Sequence, residues 1–257
     1  MNAAIRYLGF ISKTPHRLAN FYCTYLGMRE LGRSPEGDIS VGDGYYNLAF
    51  LLQRDDGTQP GFGQLGIAVD DIKEVEERLR QHAPGTELQQ DSGGLHFGDY
   101  SVKDPNGYPV AVSTCNFGIS TGKAEKLPAV VHAALCEPNG DKLAEFFNNV
   151  FGFTKSAPRM WGPVGRFIKD AQTDLAILAS AAEMRANGGH VTPDHVKQGL
   201  NHFGFEVPSA EQLTAQFPAE AGATRRTDRP QPQGYYRAWD PDGNHFDLRS
   251  SPGWRSE

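Results

Sequence analysis

The 257-residue sequence has no apolar run long enough for a membrane helix, which needs about 18 or more such residues. Its first residues, MNAAIRYLGF, have neither the basic start nor the long apolar stretch of a secretory signal. Cysteine is scarce. Cys23, Cys115 and Cys136 are odd in number and widely spaced, which excludes a disulfide framework and a thiolate zinc site. Runs dense in lysine and arginine are also missing, and a net charge of -6 argues against a nucleic-acid surface. What remains is a soluble chain, expected in the cytoplasm, with neither nucleic acid nor membrane as a partner. Its length can bury one large core or two small ones.

What the sequence does contain is repetition. IRYLGFISKTPHRLANFYCTYLGM (5–28) aligns without gaps on VVHAALCEPNGDKLAEFFNNVFGF (130–153). Gly27 falls on Gly152, Phe21 on Phe146, Leu18 on Leu143 and Tyr7 on His132. QLGIAVDDIKEVEERL (64–79) pairs in the same way with HFGFEVPSAEQLTAQF (202–217), matching Gly66 to Gly204 and Val69 to Val207. VKDPNGYPVAVS (102–113) finds its counterpart in AWDPDGNHFDLRS (238–250), each with an Asp-Pro-(Asn/Asp)-Gly turn between two apolar alternations. Internal duplication at this spacing defines two homologous halves.

Each half divides again. A short apolar strand leads into an amphipathic helix and then into several strands. Leu143, Phe146, Phe147 and Val150 recur at helical spacing, with Lys142, Glu145 and Asn149 on the other face. Gly27 and Gly152 stand where a helix terminates. YYNLAFLL and TDLAILAS are rich in strand formers between polar turns. The pattern predicts β-α-β-β-β four times, with first strands near 4–11, 64–69, 129–136 and 201–207. NFGISTGKAEKLPA (116–129) reads as the linker, so the domains are expected at 1–118 and 127–257. AAEMRANGGHVTPDHVKQG (181–199) reads as a loop long enough to cover a site.

These four units, the helix endings FYCTYLGM and FFNNVFGF, and the terminal strands after DPNGY and DPDGNHFDL resemble the vicinal oxygen chelate superfamily. Glyoxalases, bleomycin-resistance proteins and extradiol dioxygenases belong to it. The resemblance implies an α+β fold of paired βαβββ modules, each pair curling into a half-open barrel. The two-pair layout is similar to that of extradiol dioxygenases, in which the second pair alone holds a metal. It implies metal ligands at His132, His202 and Asp247, on the first strands of the third and fourth modules and the last strand of the fourth. The equivalents in the first half are Tyr7, Gln64 and Ala111, which cannot make a divalent-metal site. Singly, His132 and His202 on apolar strands would read as core histidines, and Asp247 beside Arg249 as a surface residue. Together they make a two-His, one-carboxylate set, which suits Fe(II) and is compatible with Mn(II). Aspartate stands where the family usually has glutamate.

Other candidates surround this set. His245 shares a strand face with Asp247 two residues away, Tyr236 could donate to a bound oxyanion, and His195 in the long loop could move protons. His190, Glu206, Arg159, Trp161 and Arg166 are further possibilities. The resemblance implies a metal-dependent enzyme, foremost an extradiol-type Fe(II) dioxygenase acting on a vicinal-diol aromatic or another small bidentate oxygen donor. A glyoxalase-like lyase or isomerase and a non-enzymatic drug-sequestering protein are the alternatives. The small-molecule partner would be aromatic or anionic, and homo-oligomerisation is compatible with the family. One departure bears on the dioxygenase reading: TDRPQPQGYYRAWDP contains no histidine and has Arg237 where the extradiol pattern expects tyrosine.

Overall fold

The computed structural model describes residues 1–92, 94–119, 124, 126–155, 165–170, 173–188, 190–191, 198–226 and 234–250. Among them the repeat is visible as four successive modules. The first runs β1 (Ala3–Ser12), α1 (Pro15–Leu26), β2 (Arg29–Arg33), β3 (Ile39–Gly42) and β4 (Asn47–Leu52). The second runs β5 (Gly61–Val69), α2 (Ile72–His82), β6 (Gln89–Gln90), β7 (Tyr100–Lys103) and β8 (Pro109–Ser113). The third comprises β9 (Ala129–Cys136), α3 (Gly140–Phe151), β10 (Thr154–Lys155), β11 (Gly165–Lys169), β12 (Asp174–Leu178) and α4 (Ala181–Ala186). The fourth comprises β13 (Gly199–Val207), α5 (Ala210–Thr214), β14 (Gly222–Arg225), β15 (Tyr235–Trp239) and β16 (His245–Ser250).

Local chemistry explains the boundaries. α1 starts with proline at its first position and buries Leu18, Ala19, Phe21, Tyr22 and Leu26 on one stripe. α1 and α3 stop at Gly27 (φ 64°) and Gly152 (φ 77°), left-handed positions that other residues adopt only with strain. Both Asp-Pro turns are closed by the aspartate. Asp104 Oδ1 accepts from the amides of Asn106 (2.8 Å) and Tyr108 (3.0 Å). Asp240 Oδ1 does the same for Asp242 (3.0 Å) and Asn244 (2.9 Å). These turns fix the register of the antiparallel pairs β7–β8 and β15–β16.

Two eight-stranded mixed sheets result, one per half, in an α+β fold. Their strand orders are β2-β3-β4-β1-β5-β8-β7-β6 and β10-β11-β12-β9-β13-β16-β15-β14, the same path walked twice. Among the described residues neither sheet closes on itself: each ends in an antiparallel strand at both edges, which leaves a half-open barrel.

By packing, the chain separates into two compact units, each taking one module from each half. One unit is Met1–Arg6, Gln64–Phe117 and Ala133–Asn201. Its core includes Phe146, Phe147, Phe151 and Phe153, with the Phe147 and Phe153 rings stacked at 5.9 Å, and α2 packs on α3. The other unit is Tyr7–Gly63, Gly118–His132 and His202–Glu257. Here Tyr22 stacks on Phe50 at 5.3 Å, and Phe10 meets Phe203 at 5.4 Å. Phe205 and Phe246 complete the cluster. The Tyr22 hydroxyl donates to Asp240 Oδ2 (3.0 Å), which joins α1 to the second Asp-Pro turn. Burial pushes the Asp240 carboxyl up to about 6 against these donors.

Glu137, just after β9, is a strongly perturbed acid of the first unit. It is 2% exposed. Burial, reinforced by the charge of Asp104, raises its carboxyl from near 4.5 to about 8, partly offset by the Gly199 amide. A folded-state value above the unfolded one means the folded chain binds the proton more tightly. Stability therefore declines as pH rises from about 5 to about 8, by at most ~1.4 kcal/mol per pH unit. Urea unfolding across this range should show that decline. Glu137→Gln, which stays neutral, should flatten it and unfold at higher urea than wild type at pH 8.

Candidate functional site

Four neighbouring strands of the second sheet, in the order β9, β13, β16 and β15, bring one set of polar side chains together. Alternation sorts them. Phe203 and Phe205 on β13, with Phe246 on β16, enter the aromatic cluster. Their immediate chain neighbours His202 and Asp247 must then turn to the opposite face. His132 on β9 joins them, with its ring 5.4 Å from that of His202. His202 Nε2 lies 3.3 Å from Asp247 Oδ2. All three are buried, and Asp247 is completely so.

A carboxylate this deep requires compensation, because desolvating an unpaired charge costs several kcal/mol or more. β15 supplies it. Arg237 lies directly across from Asp247 in the antiparallel register, and its Nε donates to Oδ1. Arg237 Nη2 reaches Oδ2 at 3.3 Å, and the buried Tyr235 hydroxyl also donates to Oδ2. Tyr235 is in turn faced by two guanidiniums, those of Arg226 (5.5 Å from the ring centroid) and Arg249 (5.6 Å).

The remaining candidates fall elsewhere. His245 is exposed at the start of β16, opposite Trp239, on the same face as Asp247 by alternation. Tyr236 pairs with Leu248 and so projects to the other face from Asp247; the tyrosine on the carboxylate is its neighbour Tyr235. Strand parity, which places 235 and 237 together, is the reason. Glu206 is buried on β13, four residues and about 13 Å from His202. His190 is exposed. Arg166 is engaged with Asp141 (2.7 Å) and Glu183 (3.0 Å). His195, Arg159 and Trp161 lie outside the described residues. In the first half, Tyr7 and Ala111 are buried and Gln64 half-buried.

Whether a divalent ion suits this cluster depends on the carboxylate. Among the described residues, no three His, Cys, Asp or Glu side chains are arranged to hold a metal ion. Both oxygens of Asp247 are already engaged by Arg237 and Tyr235. A divalent cation about 5 Å from a guanidinium would be repelled by roughly 7 kcal/mol at an effective dielectric of about 20. The structure thus brings His132, His202 and Asp247 together, but in a form that does not fit a metal. The sequence reading missed Arg237 and Tyr235 as partners of the carboxylate. The signal was Arg237 itself, a charge where the resemblance expects a neutral tyrosine.

Residues 130–249 match the family model of a glyoxalase-like domain. In fold the chain is similar to the 2,3-dioxygenase LapB from Pseudomonas sp. KL28 (TM-score 0.67, 19% identity, 99% of this chain and 95% of that one). It is equally similar to a Mn(II)-bound glyoxalase from Novosphingobium aromaticivorans (TM-score 0.68, 18% identity, 97% and 82%). Homoprotocatechuate 2,3-dioxygenase from Arthrobacter globiformis gives a TM-score of 0.66 at 15% identity over 97% and 80%. This is the vicinal oxygen chelate fold. No curated protein matches the sequence. The stretch 130–249 is thus similar to a glyoxalase-like domain, and the polar cluster lies within it.

Asp247→Ala should therefore cost stability as well as any activity. Breaking a buried charge pair costs about 3–5 kcal/mol, whereas Tyr235→Phe, which removes one hydroxyl from the carboxylate, should cost about 1–3 kcal/mol. Chemical denaturation of both variants, compared with His245→Ala at the exposed strand end, checks the order. The His245 change should fall within about 0.5 kcal/mol of wild type.

Proposed function

We propose that the chain is an enzyme converting a small organic molecule at the His132–His202–Asp247 cluster, by proton transfer of the lyase or isomerase class. The observation that carries this reading is the 3.3 Å approach of His202 Nε2 to a carboxylate that Arg237 and Tyr235 hold in place. An imidazole oriented by a buried, immobilised carboxylate is the usual arrangement of a general base with its orienting group. His202 would take a proton from carbon or oxygen of the substrate and return it. His132, with its ring beside that of His202, would bind or polarise a substrate oxygen. A small substrate presenting two adjacent oxygens, the class the sequence resemblance implies, would suit the two neighbouring imidazoles. Loss of the base should lower turnover by about 10²–10⁴-fold.

A second reading is an extradiol-type dioxygenase that binds Fe(II), or Mn(II), through His132, His202 and Asp247 and acts on a vicinal-diol aromatic. The donor types, and fold similarity to proteins described as 2,3-dioxygenases, favour it. The engaged carboxylate favours the first. Two assays separate them. Under proton transfer, deuterium from solvent enters the carbon next to a carbonyl in a panel of small hydroxy ketones and oxo acids. That exchange should disappear in His202→Ala. Oxygen uptake with a panel of catechols, and no exchange, would establish the dioxygenase instead. Ligand binding with neither reaction would make the chain a sequestering protein.

A further inference from the structure

We propose that the C-terminal site works without a metal ion because Arg237 holds the carboxylate a metal would need. This rests on the cluster being the functional site, as argued above. Asp247 offers two oxygens: Oδ1 accepts from Arg237 Nε, and Oδ2 accepts from the Tyr235 hydroxyl and Arg237 Nη2. A metal ion would have to share these oxygens with a guanidinium, on a completely buried group where the two positive charges repel each other strongly. Arg237 is poorly placed to leave. It stands directly across from Asp247 in a paired-strand register, so its backbone position is set by the ladder. Its planar fork is matched to a carboxylate in a way a single ammonium is not.

The duplicated half provides a contrast. The first-half counterparts of Arg237 and Asp247 are Ser101 and Ala111, and they face each other in the same register on β7 and β8. Neither charge is present there. The second half carries both. The acidic group and the basic one therefore occur as a unit, as an ion pair requires and a set of metal ligands does not. Arg226 and Arg249 add two further guanidiniums over the ring of Tyr235, which itself donates to the carboxylate. A protein-supplied cation thus stands where the fold would otherwise admit a divalent one. The ligand of such a site is an organic molecule held by hydrogen bonds, with no chelation.

The test is metal uptake, read independently of any reaction. Purified chain is stripped with chelator and titrated with Co(II), followed by visible absorption and by metal analysis after desalting. Wild type should show no stoichiometric uptake that depends on His132. Arg237→Gln and Arg237→Tyr, with far-UV circular dichroism matching wild type, should each gain one Co(II) per chain, about tenfold tighter than any wild-type binding. Adding His132→Ala to either should abolish the gain. Stoichiometric uptake by wild type that is lost in His132→Ala overturns the proposal, as does a folded Arg237 variant that gains none. Should both Arg237 variants unfold, comparing wild type with His132→Ala decides alone: no His132-dependent uptake supports it, and uptake overturns it. Absence of proton exchange together with absence of metal uptake would sink the proposed reaction but leave this inference standing.

Discussion

A carboxylate with no exposure to water governs the C-terminal half of this chain. Asp247 lies on an interior strand of its sheet, and a carboxylate buried this deeply must be met by donors. Arg237 and Tyr235 do so from the adjacent strand, and His202 approaches from the strand on the other side. Three neighbouring strands are thereby tied at one point on a single face. The same requirement limits chemistry. An anion satisfied by a guanidinium orients an imidazole well and recruits a metal ion poorly.

Much of the architecture was legible because it follows from short-range rules. Gly27 and Gly152 end helices because their backbone is left-handed there. Asp104 and Asp240 mark turns because their side chains cap the amides that follow. The module order followed from aligning the sequence on itself. His132 and His202 were singled out by the family resemblance, at positions where the first copy carries Tyr7 and Gln64.

The part that was not legible is the part that depends on registry between strands. Nothing local to position 237 says which residue of the next strand it will face. Once the turn fixes the pairing, Arg237 meets Asp247 and Tyr236 meets Leu248, so the tyrosine in contact is Tyr235. A shift of one residue would exchange their faces. The departure at 237 was visible as a missing tyrosine. Its meaning as a resident cation required the ladder.

The crosswise composition of the packing units bears on how such a chain can be divided. The unit holding Asp247 also contains Tyr7–Gly63, and the rings of Phe10, Tyr22 and Phe50 close over Phe203 and neighbouring aromatics from the fourth module. A C-terminal fragment severed within 119–126 would expose that hydrocarbon surface to water. Within that unit the two copies share one interior, and neither supplies all of it.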